Sequence, residues 1–188
     1  MIYESLRALE LEINSHLKYV TGSNEELLVL SNIADQSGAK ALQQDNVVYF
    51  SLLRIDEDKT INKSGGYPNN FKKGVPTLLV LYVMFASSHS GNRYKDGIFL
   101  IDKIIGYFHE NSVLKQTDID GLPAEVDSLV FDLQNIDFRE VSNIFSATGS
   151  KLMPHVIYKI RLLPVFGNDN NRSLPSMKEL NRRLNDNE

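Results

Sequence analysis

The sequence predicts an α+β fold: a single domain in which a mixed or antiparallel sheet of about five strands packs with three helices, followed by a C-terminal tail. Three observations predict it. The run from Val75 to Ala86 is apolar on both parities, with Leu79, Leu81, Val83 and Phe85 on one and Leu78, Val80, Tyr82 and Met84 on the other. A strand with one wet face alternates apolar and polar residues, so this one is central and covered on both faces. Residues 126–134 do alternate, with Leu129, Phe131 and Leu133 opposite Ser128, Val130, Asp132 and Gln134. Residues 2–20 and 92–110 instead repeat apolar side chains at spacings of three and four, the period of an amphipathic helix.

The first helix carries Ile2, Leu6, Leu9, Ile13, Leu17 and Val20 on one stripe, with Glu4, Arg7, Glu10, Asn14 and Lys18 on its other sides. His16 borders the stripe as a packing residue, and Gly22 and Asn24 end the helix. Residues 27–33 read as a strand, 35–44 as a polar linker, and 47–55 as a second strand rich in branched and aromatic residues. Asp56, Glu57 and Asp58 follow. A catalytic carboxylate pair needs contrasting surroundings, and a calcium loop needs a longer run of oxygen ligands, so this trio reads as a solvated strand end.

Residues 59–74 form a loop of unusual length for a compact domain, a feature associated with function or with disorder. Gly65 and Gly66 lack the lysine spacing and following helix of a phosphate-binding loop. Ile61, Tyr67 and Phe71, beside Lys72 and Lys73, suit a partner surface. Pro76 fits only near the start of the central strand, where a missing amide donor costs least.

In the helix over 92–110, Tyr94, Ile98, Ile101, Ile105 and Phe108 form the expected buried stripe, widened by Ile104. Gly97 and Gly106 each weaken a helix by about 1 kcal/mol relative to alanine, which points to close packing. Asp137 is an N-cap with Glu140 completing a capping box, Phe138, Val141, Ile144 and Phe145 line the buried side, and Gly149 terminates the helix. The last strand, residues 155–163, turns Val156, Tyr158, Ile160 and Leu162 inward and His155, Lys159 and Arg161 outward; pairing with the strand of Asp132 would set opposite charges face to face.

The domain therefore spans 1–163, and 164–188 is a polar linker with a short amphipathic tail. Met177, Leu180 and Leu184 recur there at helical spacing beside Lys178, Arg182 and Arg183. One short helix is not stable alone, so the tail is expected to dock on a neighbour.

Apolar content of 42% and charged content of 23% are those of an ordinary globular protein. A net charge of −4 argues against general nucleic-acid binding, and no apolar run approaches the length that spans a bilayer. The chain has no cysteine, which removes disulfides and thiolate chemistry, and its start lacks the pattern of a signal peptide, so assembly in the cytoplasm is expected. His16, His89, His109 and His155 stand at no metal-ligand spacing. Neither a nucleophile elbow nor a dinucleotide fingerprint is found. Periodicity and composition thus name no activity.

Several stretches carry a resemblance. They are Met1 to Leu6, Val47 to Thr60, Pro76 with Leu79 to Phe85, and above all Leu133 to Phe145 followed by Gly149 to Arg161. Over about residues 1–163 the sequence resembles the tail-terminator, or cap, proteins of phage-tail-like extracellular contractile injection systems (the Pvc-type N-terminal domain). The resemblance implies a structural protein and not an enzyme, with no cofactor. It would form a six-fold ring at the baseplate-distal end of a particle that can be released outside the cell. There it would stop inner-tube growth and anchor the last sheath ring. Its partners would be its own copies, the tube protein and the sheath protein, not nucleic acid or membrane. The contacts would lie at Ile61, Tyr67, Phe71, Lys72 and Lys73 and at Met177, Leu180, Arg182, Arg183 and Leu184. The alternatives are a tube-completion or adaptor protein of the same particle, and a generic cytoplasmic interaction domain.

Overall fold

The structure, a computed structural model, describes residues 1–35, 41, 46–58 and 78–165. Three helices, α1 (Ile2–Thr21), α2 (Tyr94–Glu110) and α3 (Phe138–Ala147), accompany six strands: β1 (Leu28–Leu30), β2 (Val48–Glu57), β3 (Leu79–Ser87), β4 (Val113–Lys115), β5 (Val126–Leu133) and β6 (His155–Pro164). The strands form one sheet in the order β1-β2-β3-β6-β5-β4, parallel between β1 and β2 and antiparallel elsewhere. The expected fold class holds. The structure adds β4, whose three residues are too few to show a period.

β3 is central, with β2 on one side and β6 on the other, as its two-faced apolar pattern requires. Its Leu81, Val83 and Phe85 belong to the main core, which also holds Leu6, Leu9, Ile13 and Leu17 of α1, Leu100, Ile101, Ile104 and Phe108 of α2, and Val156, Tyr158, Ile160 and Leu162 of β6. The centre of this core is aromatic: Phe50 stacks on Phe85 at 4.7 Å and Phe108 on Phe131 at 4.4 Å. Such pairs contribute about 0.5–1.5 kcal/mol beyond their burial. Burial also pushes the Tyr158 hydroxyl up to about 12. On the opposite face Met84, Ala86 and Ile157 pack with Tyr49 and with Val141 and Phe145 of α3. β2 bulges between Leu52 and Arg54, so its parity relative to β3 shifts there.

Local signals behave as expected at the helix ends. Gly22 ends α1 in the left-handed conformation (φ 68°), and Asp137 caps α3 by accepting from the amides of Arg139 (2.7 Å) and Glu140 (3.0 Å). Other details are corrected. The return bond of the capping box, from Glu140, is not among the hydrogen bonds of the described residues. Phe138 is 74% exposed, because it is the first residue of α3 and lies outside the face set by Val141 and Phe145.

The buried side of α2 is also rotated from expectation. It comprises Gly97, Leu100, Ile101, Ile104, Tyr107 and Phe108, while Tyr94, Ile98 (46% exposed) and Ile105 face outward. α2 has two apolar stripes, and close packing at Gly97 selects between them. A β-carbon there would lie 2.1 Å from Ser87 Oγ and 2.8 Å from His89 Cβ. Gly106, expected to pack closely, has nothing within 4 Å of such a carbon. In α1, Glu10 and Asn14 are buried, not solvent-facing, at 5% and 7% exposure.

Candidate assembly interface

The contact residues expected from the sequence, Ile61, Tyr67, Phe71, Lys72 and Lys73 in the loop and Met177, Leu180, Arg182, Arg183 and Leu184 in the tail, lie outside the described residues. The structure does describe where those segments are rooted. The loop leaves after Asp58, whose amide donates to the carbonyl of Leu78 at 2.8 Å, so both ends of the loop are pinned together. The tail leaves after Val165, whose amide donates to the carbonyl of Glu125 at 2.9 Å. In the ladder Glu57 registers with Leu79 and Leu79 with Leu162. The end of β2, the start of β3 and the end of β6 therefore share one end of the sheet, and both candidate segments are rooted there.

Towards that end the face opposite the main core carries charge. Arg54 Nε donates to Asp56 at 2.7 Å, and its guanidinium lies 5.8 Å from the centre of the Tyr82 ring. Further across the sheet Asp132 registers with Lys159 and forms an ion pair with Arg161, which realises the charge pairing expected of β5 and β6. The acidic stretch thus ends β2 with Asp56 tied to Arg54 rather than grouped with other carboxylates. Two concave regions flank β2. One, of about 520 Å³, lies between Asn32 to Asp35, Ser51 to Leu53 and the last turn of α3. The other, of about 470 Å³, is apolar and lined by Ile2, Tyr3, Leu6, Leu30 and Leu52.

The histidines are dispersed. His16 packs on Tyr107 at 4.8 Å, and His155 Nδ1 lies 2.8 Å from the Met153 carbonyl. His109 sits in the last turn of α2. His89 is 5% exposed with Nδ1 2.9 Å from Ser87 Oγ; burial, then the Arg93 charge, hold its pKa below the usual imidazole value, with Asp96 acting the other way. The Tyr107 hydroxyl donates to Glu12 at 3.1 Å, and burial followed by that carboxylate raises its pKa. Among the described residues no group of three or more histidine, cysteine or carboxylate side chains can hold a metal. No helix among them is long and apolar enough to cross a membrane.

Sequence reasoning missed the outward residues of α2, Tyr94, Ile98 and Ile105, by assigning them to the core. It also missed the exposure of Tyr3, Leu11 and Tyr19 on α1. Gly97 was the available signal for α2, although Gly106, which approaches no neighbour, offered the same signal without the packing.

No curated protein matches the sequence. Among solved structures, the chain is similar to the sheath/tube terminator of PVC, an extracellular contractile injection system, in its extended state. The identity is 9%, the TM-score 0.59, and the match covers 99% of this chain and 69% of that one. It is also similar to the tube-terminating cap of the anti-feeding prophage, at 12% identity and a TM-score of 0.48, covering 94% of this chain and 67% of that one. At such identity the likeness to the PVC protein speaks for the fold. The sequence itself supplies the family: the Pvc16 N-terminal domain matches residues 6–177, nearly the whole chain, and this protein belongs to that family.

Proposed function

We propose that this chain is a structural terminator of a contractile injection particle, ending the inner tube and anchoring the last ring of sheath. The observation that carries the reading is the family match over residues 6–177; the fold shared with the PVC sheath/tube terminator supports it. The action is steric and interfacial. A closed ring of copies fits the last tube layer and offers no equivalent surface to the next subunit, so growth stops. Six copies, contacts to tube and sheath, assembly in the cytoplasm and the absence of catalysis all belong to this proposal.

The contact segments proposed are the loop bearing Tyr67 and Phe71 and the tail bearing Met177, Leu180 and Leu184, both rooted at one end of the sheet. Electron microscopy of the protein co-expressed with its inner tube and sheath tests the reading. A ring of this chain at one tube end, with tubes of more uniform length, is expected. Binding along the whole tube would replace termination by an adaptor role, and no binding would overturn both.

A further inference from the structure

An edge strand exposes a row of main-chain amides and carbonyls that can recruit another strand. Among the described residues β1 is such an edge, bonded to β2 on one side. In this parallel pairing the Leu27 carbonyl accepts from Val48 and the Ser31 amide donates to the Phe50 carbonyl, so the odd-numbered residues face β2. The polar groups of Leu28 and Leu30 point away from the sheet.

α1 meets the amides of both residues and the carbonyl of Leu28. Asn14 Oδ1 accepts from the amides of Leu27 and Leu28, both at 3.0 Å, and Asn14 Nδ2 donates to the Leu28 carbonyl at 2.7 Å. Glu10 Oε1 accepts from the Leu30 amide at 2.8 Å, and the other carboxylate oxygen of Glu10 is held by Arg7. Neither side chain is accessible enough to serve a partner. One carboxamide thus gives Leu28 the donor and the acceptor that a neighbouring strand would give.

The spacing explains why two side chains suffice. Residues four apart in a helix advance about 6 Å along its axis. Outward residues two apart in a strand advance about 6.6 Å. Asn14 meets Leu28 and Glu10 meets Leu30, so α1 runs antiparallel to β1 with its four-residue step matching the strand's two-residue step.

We propose that Asn14 and Glu10 act as a substitute strand that closes the β1 edge, and that the partner they exclude is the β1 edge of a second copy of this chain. Opening the edge would let two copies pair β1 to β1, a contact that satisfies in each copy the groups α1 had satisfied. The closed edge takes β1 out of main-chain association and leaves β4 as the other edge of the described sheet. The inference concerns the isolated chain and stands apart from its proposed place on a tube.

The test combines amide exchange with sedimentation of the full chain. In the wild type the Leu28 and Leu30 amides are expected to exchange as slowly as those of β3; free exchange at both would overturn the proposal outright, with no variant needed. In Glu10→Ala/Asn14→Ala those amides are expected to exchange at least ten-fold faster at low concentration, and the protein to associate beyond the wild-type state as concentration rises. Adding Leu30→Pro removes the outward donor of β1 while sparing the bonds to β2, and is expected to abolish that association. Association that survives Leu30→Pro, or its absence in a folded double variant, would overturn the proposal.

Discussion

Alanine at Gly97 and at Gly106 makes the same chemical change in the same helix and is expected to act with opposite sign. Each substitution gains about 1 kcal/mol of helix propensity over glycine. At Gly106 nothing lies within 4 Å of the new methyl, so the gain is kept, and a stabilisation of about 0.5–1 kcal/mol is expected. At Gly97 the methyl would fall 2.1 Å from Ser87 Oγ and 2.8 Å from His89 Cβ, both below any real contact distance. Ser87 is 1% exposed and its hydroxyl is engaged with His89 Nδ1, so withdrawing it gives up that contact. Forcing α2 outward costs about 1–3 kcal/mol as overpacking. Breaking the Ser87–His89 hydrogen bond costs about 1 kcal/mol more. The propensity gain offsets only one of these, leaving a net loss of about 1–3 kcal/mol. In a domain of this size each kcal/mol moves Tm by about 2–4 °C. Thermal unfolding followed by circular dichroism should therefore show Gly97→Ala melting several degrees below the wild type and Gly106→Ala slightly above it. A Gly97→Ala protein as stable as the wild type would refute the assignment of the sheet-facing side of α2.

Three further outcomes are expected. His89, held neutral by burial and by Arg93, binds a proton less readily folded than unfolded, so its contribution is full above about pH 6.5 and is lost as the pH falls through the depressed folded value. Urea unfolding at pH 7.5 and pH 5 should show that loss, and His89→Gln should reduce it. Replacing Asp137 by alanine leaves the amides of Arg139 and Glu140 without their acceptor and should cost about 1 kcal/mol in the same assay, with the sheet unaffected. Asp132→Asn removes a half-exposed ion pair with Arg161 and should cost less than about 1 kcal/mol, with the difference from the wild type shrinking as salt is added.

The local period of the chain was enough to place α1, the interior strands and the cap of α3, because each is written in consecutive residues. β3 could be called central from its own side chains: only a strand covered on both faces can carry Val80, Leu81, Val83, Met84 and Phe85 without a polar alternate. The contrast within α2 shows where such reasoning stops. Its sequence offers two apolar stripes about a quarter-turn apart, and both satisfy the helical period; which one is buried depends on the surface it meets. β4 has too few residues for a period, and its place depends on its partner β5.

The loop and tail proposed as an interface were singled out by loop length and apolar spacing, whereas their common root at one end of the sheet is a matter of strand register. Glu10 and Asn14 mark the same boundary. By residue type they belong on a wet helix face, and the edge amides of β1 that they accept from make their burial favourable. Local sequence was sufficient for the type of most described elements and for which of their faces are apolar, since those follow from nearest-neighbour sterics and periodicity. The tertiary structure decided which stripe is buried, which edge is closed and which ends meet, because each depends on a partner distant in the chain whose position no local pattern records.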